Sequence, residues 1–181
     1  MINRIIIAGF GGQGIIIAGK ILATAFMNEG KEVTFFPSYG AEMRRGTCNC
    51  SVVVSDNPIA SPIIHNPDTL LLFNKPSMDK FERLCKKDGI IIFNSSLIKE
   101  KSKRSDIRSF YINASNIAEE SGTIKGTNMA MLGAFAKITG LVKIDSLKES
   151  IKENFKSLKE ELLKINIDIL LKGYEFNFNP S

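Results

Sequence analysis

Histidine and cysteine are scarce in this chain, and their scarcity excludes a good deal of chemistry. Among 181 residues there is one histidine, His65, and there are three cysteines, Cys48, Cys50 and Cys85. A single imidazole removes His-rich metal sites and leaves a Ser-His or Cys-His nucleophilic machine without support. Three thiols are an odd number whose only close pair is C-x-C, which is neither a disulfide framework nor a C-x-x-C cluster site. Nor can three thiols ligate a four-cysteine iron–sulfur centre. His65, within Ile63-Ile64-His65-Asn66-Pro67, reads as a loop residue before a turn. Cys48 and Cys50 alternate with Asn49 and Ser51 and read as packing residues on one face of a strand.

Other absences narrow the class further. No apolar stretch reaches membrane-spanning length, and Met1-Ile2-Asn3-Arg4 leads into a strand rather than a signal peptide, so a cytoplasmic location and no membrane partner are expected. The net charge of +5 is modest. Much of it lies in Lys99-Glu100-Lys101-Ser102-Lys103-Arg104 and on to Arg108, where no stacking aromatics interleave the cations. That run reads as a solvated surface loop, not a nucleic-acid site. There is no internal repeat, low-complexity segment or linker. With 44% hydrophobic and 24% charged residues, residues 1–181 are expected to form a single domain with a full core.

What is present begins with Gly9-Phe10-Gly11-Gly12-Gln13-Gly14, behind the apolar run Ile5-Ile6-Ile7-Ala8 and before Ile15-Ile16-Ile17-Ala18. A β-branched run, a glycine cluster and a long apolar segment read as strand, tight turn and helix. The turn brings backbone N–H groups and a helix dipole to a point where an anion can bind. Gly9, Gly11 and Gly14 also fit G-x-G-x-x-G. The dinucleotide reading needs a carboxylate closing the second strand, and Lys31-Glu32-Val33-Thr34-Phe35-Phe36 carries its only acid at the beginning. A purely structural tight turn is the alternative.

Down the chain, Gly30 fits a helix C-cap. The segment from Pro37 to Thr47 is polar and charged, and reads as a long functional loop holding Tyr39, Glu42, Arg44 and Arg45. Cys50–Ser55 reads as a strand, with Ile59-Ala60-Ser61-Pro62 returning as a hairpin arm. Strands follow at Thr69–Phe73, Ile90–Asn94 and Ser109–Ile112, with helices from Pro76 to Cys85 and from Asn116 to Glu120. The expected fold is α/β: three-layer α/β/α, Rossmann-like, with a mostly parallel sheet that the hairpin makes mixed. Asp145 offers an N-cap, and an amphipathic helix running from Phe155 through Leu158, Leu162, Ile165 and Ile169 ends near Gly173. Two helices, Ile15–Met27 and Thr127–Thr139, show almost no polar face. Either they are central to the core or their outer faces meet another chain; both cannot easily be interior to a domain this small, so a subunit interface is favoured.

These residues together resemble the gamma subunit of 2-oxoacid:ferredoxin oxidoreductases. The resemblance rests on Gly9-x-Gly11-Gly12-Gln13-Gly14 heading a helix and on Ser38-Tyr39-Gly40-x-Glu42-Met43-Arg44 before a strand ending in Ser55-Asp56. Ser61-Pro62, Pro67-Asp68 and Asn128-Met129-x-Met131-Leu132-Gly133 continue it in order along nearly the whole chain. The wording is most similar to the 2-oxoglutarate synthase type, with branched-chain 2-oxoacid, pyruvate and indolepyruvate relatives as alternatives. Arg45 stands where the family often has glycine.

The resemblance implies a complex that oxidatively decarboxylates a 2-oxoacid to acyl-coenzyme A and reduces ferredoxin. Thiamine diphosphate, magnesium and 4Fe-4S clusters are then expected on alpha and beta subunits, and on delta where the complex has one, with coenzyme A binding nearby. This chain has no Gly-Asp-Gly…Asn-Asn thiamine-diphosphate run and is expected to bind no cofactor firmly and to be inactive alone. Gly11, Gly12, Gln13, Gly14, Tyr39, Glu42, Arg44 and Arg45 are its candidate coenzyme A, anion or interface residues. A stand-alone nucleotide- or coenzyme-binding Rossmann-like protein is the remaining alternative.

Overall fold

Three apolar runs, Ile5-Ile6-Ile7-Ala8, Leu70-Leu71-Leu72 and Ile90-Ile91-Ile92, become adjacent strands buried on both faces. In the computed structural model, which describes residues 1–39 and 47–178, they form the centre of one six-stranded sheet. The strands are β1 (Ile2–Phe10), β2 (Glu32–Tyr39), β3 (Thr47–Ser55), β4 (Thr69–Leu72), β5 (Ile90–Asn94) and β6 (Arg108–Ile112). Their order is β2-β3-β1-β4-β5-β6. β1, β4, β5 and β6 run parallel, and β3 is antiparallel to both of its neighbours. Only β3 is reversed, so the sheet is mostly parallel and mixed, as the sequence led us to expect.

The source of the mixing differs from expectation. Residues 59–62 form no strand; the sheet is mixed because β3 runs antiparallel between β1 and β2, and β2 continues through Pro37 to Tyr39. Pro37 read as a strand end because it lacks a ladder donor. β2 is an edge strand, and an edge tolerates a missing N–H.

The helices are α1 (Ile15–Asn28), α2 (Lys75–Phe81), α3 (Ala114–Glu120), α4 (Thr127–Thr139), α5 (Ile144–Asn154) and α6 (Glu160–Glu175). A single 3₁₀ turn, Glu82–Leu84, completes the segment expected to be helical to Cys85. The layers are unequal. α1, α3, α4, α5 and α6 build the core on one face with Ile5, Ile7, Val52, Leu71 and Ile92. The other face, with Ile6, Leu70, Leu72, Ile91 and Phe93, is packed by Met78 and Phe81 of α2 and by Ile98.

Two expectations for the C-terminal third are corrected. Asp145 lies in the first turn of α5 and Lys143 takes the N-cap position, without a side-chain cap. α6 starts at Glu160 rather than Phe155, because residues 155–159 turn the chain back so that α6 can lie on α4. That packing also corrects the subunit-interface reading of α4. Every residue from Thr127 to Ala136 is buried within the chain itself. Gly133 and Gly173 let the two backbones touch: a Cβ on Gly133 would strike the Leu170 carbonyl, and one on Gly173 the Ala130 carbonyl. α1 keeps some apolar surface, with Ile17 and Met27 exposed. Among the described residues no helix is long and apolar enough to cross a membrane.

Candidate functional site at the carboxyl edge of the sheet

The turn from β1 to α1 is built for close approach. Gly12 (φ 94°) and Gly14 (φ 73°) occupy the left-handed region, where a side chain is strained. Gly14 is the N-cap of α1 and offers no side-chain cap, and the first turn holds no acid. The free N–H groups and positive dipole end of a 14-residue helix are therefore uncompensated from within. Gly11 and Gly12 are exposed.

Gln13 works inward. Its Oε1 accepts from the Phe10 N–H at 2.6 Å and from Asn74 Nδ2 at 3.0 Å. Asn74, the N-cap of α2, receives the Ser77 N–H at 3.0 Å and the Ser77 hydroxyl at 2.8 Å on its own Oδ1. One strand further on, Asn94 Nδ2 donates to the Phe73 carbonyl at 3.3 Å and to Ser115 Oγ at 2.9 Å. Asn128 of α4 closes the other side, with Nδ2 donating to the Gly14 carbonyl at 3.2 Å. A buried amide network thus ties together the ends of β1, β4 and β5 and the start of α4. It fixes the turn's backbone independently of any ligand.

Asn74, Asn94, Ser115 and Asn128 were not singled out from sequence as site residues. A signal for two of them was there: Phe73-Asn74 and Phe93-Asn94 both close fully apolar strands, where a polar amide must find a partner or cap the next turn.

Glu42, Arg44 and Arg45 lie outside the described residues. The register nevertheless fixes where their segment is anchored. Phe10, the last residue of β1, pairs with Thr47, and Tyr39 pairs with Cys48. Tyr39 and Thr47, the described residues on either side of 40–46, therefore lie at the same edge of the sheet as the glycine turn, the edge where open α/β sheets bind ligands. Gly11–Gly14 and the backbone of Tyr39 are brought to one place.

The thiols do not converge there. Cys50 is buried under α1, its Sγ 3.4 Å from the Ile15 carbonyl, whereas Cys85 packs in the core on the opposite face of the sheet. Burial pushes Cys50 up to about 12 and Cys85 up to about 11, so both stay protonated and are poor ligands. An iron–sulfur cluster does not fit this donor set. Among the described residues no group of His, Cys, Asp and Glu side chains is arranged to hold a metal ion.

A model of the pyruvate ferredoxin/flavodoxin oxidoreductase family matches residues 4–176. The chain belongs to that family. The ketoisovalerate oxidoreductase subunit VorA of Methanothermobacter marburgensis is 38% identical over 175 residues, which is 96% of this chain and 36% of VorA. The chain thus spans about a third of that relative's length. The 2-oxoglutarate synthase subunit KorC of Methanocaldococcus jannaschii is 34% identical and matches end to end, over 97% of this chain and 94% of its own. The fold is that of the keto/oxoacid ferredoxin oxidoreductase gamma subunit from Geobacter sulfurreducens, with TM-score 0.85, 26% identity and coverage of 97% and 95%. It also matches 30% of a chain of the 2-oxoglutarate:ferredoxin oxidoreductase from Magnetococcus marinus, solved with 2-oxoglutarate, coenzyme A and succinyl-CoA, with TM-score 0.88, 25% identity and 95% of this chain covered.

Proposed function

We infer that this chain is the gamma subunit of a cytoplasmic, multi-subunit 2-oxoacid:ferredoxin oxidoreductase, with 2-oxoglutarate as the favoured substrate. The observation carrying this reading is the end-to-end match to a 2-oxoglutarate synthase subunit. The higher identity to part of a ketoisovalerate subunit supports a branched-chain 2-oxoacid as the second reading. In such a complex thiamine diphosphate and iron–sulfur clusters supply decarboxylation and electron transfer, and the alpha and beta partners, with delta where the complex has one, hold them. The share of this chain is structural and non-catalytic. Its glycine turn and residues 40–46 shape a coenzyme A site, an assignment supported by the uncapped start of α1 and by the common anchoring of both segments.

The chemistry suits the phosphates of coenzyme A. Gly11, Gly12 and Gly14 present backbone near a helix start, Arg44 or Arg45 supplies a bidentate fork, and Glu42 is close enough in sequence to orient one of them. The test is the complex purified through a tag on this chain and assayed with a panel of 2-oxoacids. 2-Oxoglutarate is expected to turn over fastest, and the lone chain not at all. Arg44→Ala is expected to raise the KM for coenzyme A about tenfold, the loss of one charge-assisted contact, with little change in coenzyme-independent decarboxylation. An unchanged KM with weakened assembly makes the segment an interface element instead.

A further inference from the structure

Gly14 is an unusual start for a helix. An N-cap residue ordinarily has extended backbone and a side-chain oxygen that receives the next N–H groups. Gly14 has neither, standing at φ 73° and ψ 23° with no side-chain cap. A left-handed residue leading straight into right-handed helix gathers successive backbone N–H groups into a concavity that suits an anion. The same shape is hard to hold, because glycine visits negative φ as readily as positive. The cradle therefore needs a lock from outside the turn.

Asn128 supplies that lock. It is the second residue of α4, is 3% exposed, and donates from Nδ2 to the Gly14 carbonyl at 3.2 Å. The same carbonyl accepts the Ala18 N–H at 2.8 Å, so both of its lone pairs are used and it is held turned into the structure. A Cβ on Gly14 would strike Asn128 Nδ2, so the amide packs against the bare face of the glycine as well as bonding it. Gln13 anchors the turn on its other side, through the Phe10 N–H and Asn74. Asn128 acts on the peptide that opens α1.

We propose that Asn128 is a positioning residue for coenzyme A. By holding Gly14 in its left-handed form, it keeps the N–H groups at the start of α1 aimed at the phosphates of the coenzyme. It touches neither the coenzyme nor the reacting atoms. The inference rests on the coenzyme A reading of the glycine turn and adds to it a residue on a different helix, 114 positions away, that sets the affinity. The effect falls on binding rather than on chemistry. Without the bond Gly14 samples other conformations, and apparent affinity drops by the fraction of enzyme whose cradle is no longer formed.

The experiment is steady-state kinetics of the assembled enzyme, purified through a tag on this chain, with Asn128→Asp and Asn128→Ala. Ionised aspartate keeps the shape of asparagine but has no donor to offer the Gly14 carbonyl. Both variants are expected to raise the KM for coenzyme A about tenfold, the worth of one buried hydrogen bond. The kcat at saturating coenzyme A is expected to stay within about twofold of wild type, and coenzyme-independent decarboxylation to be unchanged. Ser150→Ala is the control for a merely structural loss. It removes another buried bond to α1, from Ser150 Oγ to the Ile21 carbonyl at 2.6 Å, and is expected to lower Tm without moving that KM. An unchanged KM in Asn128→Asp, a loss confined to kcat, or an equal rise in Ser150→Ala overturns the proposal. Arg44→Ala separates the two readings. If it raises the KM while both Asn128 variants leave it alone, the coenzyme A reading stands and the role of Asn128 falls; if all three leave it alone, both fall. Asn128→Asp also suits the start of α4, whose first turn has no acid, so it decides the matter even if Asn128→Ala does not assemble.

Discussion

Gly133 and Gly173 meet at the crossing of α4 and α6, where a Cβ built on Gly133 would stand 3.0 Å from the Gly173 carbonyl carbon and closer still to the Leu170 carbonyl oxygen. Backbone lies against backbone, so no flexible side chain can yield. Gly133→Ala must push the helices apart and is expected to destabilise the fold by about 1–3 kcal/mol, as overpacking does. In thermal unfolding this corresponds to a Tm lower by roughly 3–10 °C for a chain of this size. An unchanged Tm would show that α6 is not seated on α4 as described.

Gln13 holds the glycine turn through one oxygen shared between the Phe10 N–H and Asn74. Gln13→Ala leaves both donors without that acceptor and is expected to cost about 1–3 kcal/mol in urea unfolding. Hydrogen exchange should quicken at Phe10 while the interior of α6 stays protected. Equal protection at both sites in the variant and the wild type would contradict this role.

The three thiols are expected to be sluggish in the native chain. Burial raises Cys50 to about 12 and Cys85 to about 11, and it also raises Cys48. At mildly alkaline pH almost no thiolate is present at Cys50 or Cys85. Ellman's reagent should count three thiols in urea and leave at least Cys50 and Cys85 unreacted in the folded chain over the same minutes. Rapid labelling of all three without denaturant would count against the packing of β3 under α1.

Asp56 gives a pH signature. The Lys31 ammonium, 2.5 Å away, and the Met1 amino group hold its carboxyl down from 3.8 to about 2. A depressed folded pKa adds stability that is fully present above the unfolded value and fades as pH falls through the folded one. Asp56→Asn should therefore lower the urea midpoint slightly at pH 6, with the gap to wild type closing between about pH 4 and pH 2. The pair is solvent-exposed, so the gap is small and shrinks further in high salt. A gap that widens on acidification would contradict the assignment.

The carboxyl-edge site was half legible. The glycine turn announced itself because positive φ and close approach demand glycine wherever they occur, a local requirement written at Gly12 and Gly14. Its supports did not announce themselves. Asn94 and Ser115 are 21 positions apart, and Asn128 is 114 positions from the Gly14 carbonyl it serves. No local pattern distinguishes such an asparagine from one in any turn.

The division follows from the range of the forces. The sequence by itself determined the elements: β1, β4 and β5 as unbroken apolar runs, α1 and α4 as helices with almost no polar face, and the alternation of strand and helix that makes an α/β fold. These depend on neighbours along the chain, through steric limits and hydrophobic periodicity. Tertiary structure alone decided that β2, and not residues 59–62, pairs with β3, and that Pro37 is tolerated because β2 lies at an edge. It also decided that the apolar surface of α4 is covered by α6 of the same chain rather than by another subunit. Hydrophobic burial is non-directional, so an apolar helix states how much surface must be covered but not what covers it. Gly133 and Gly173, 40 positions apart, settle that by letting two backbones touch.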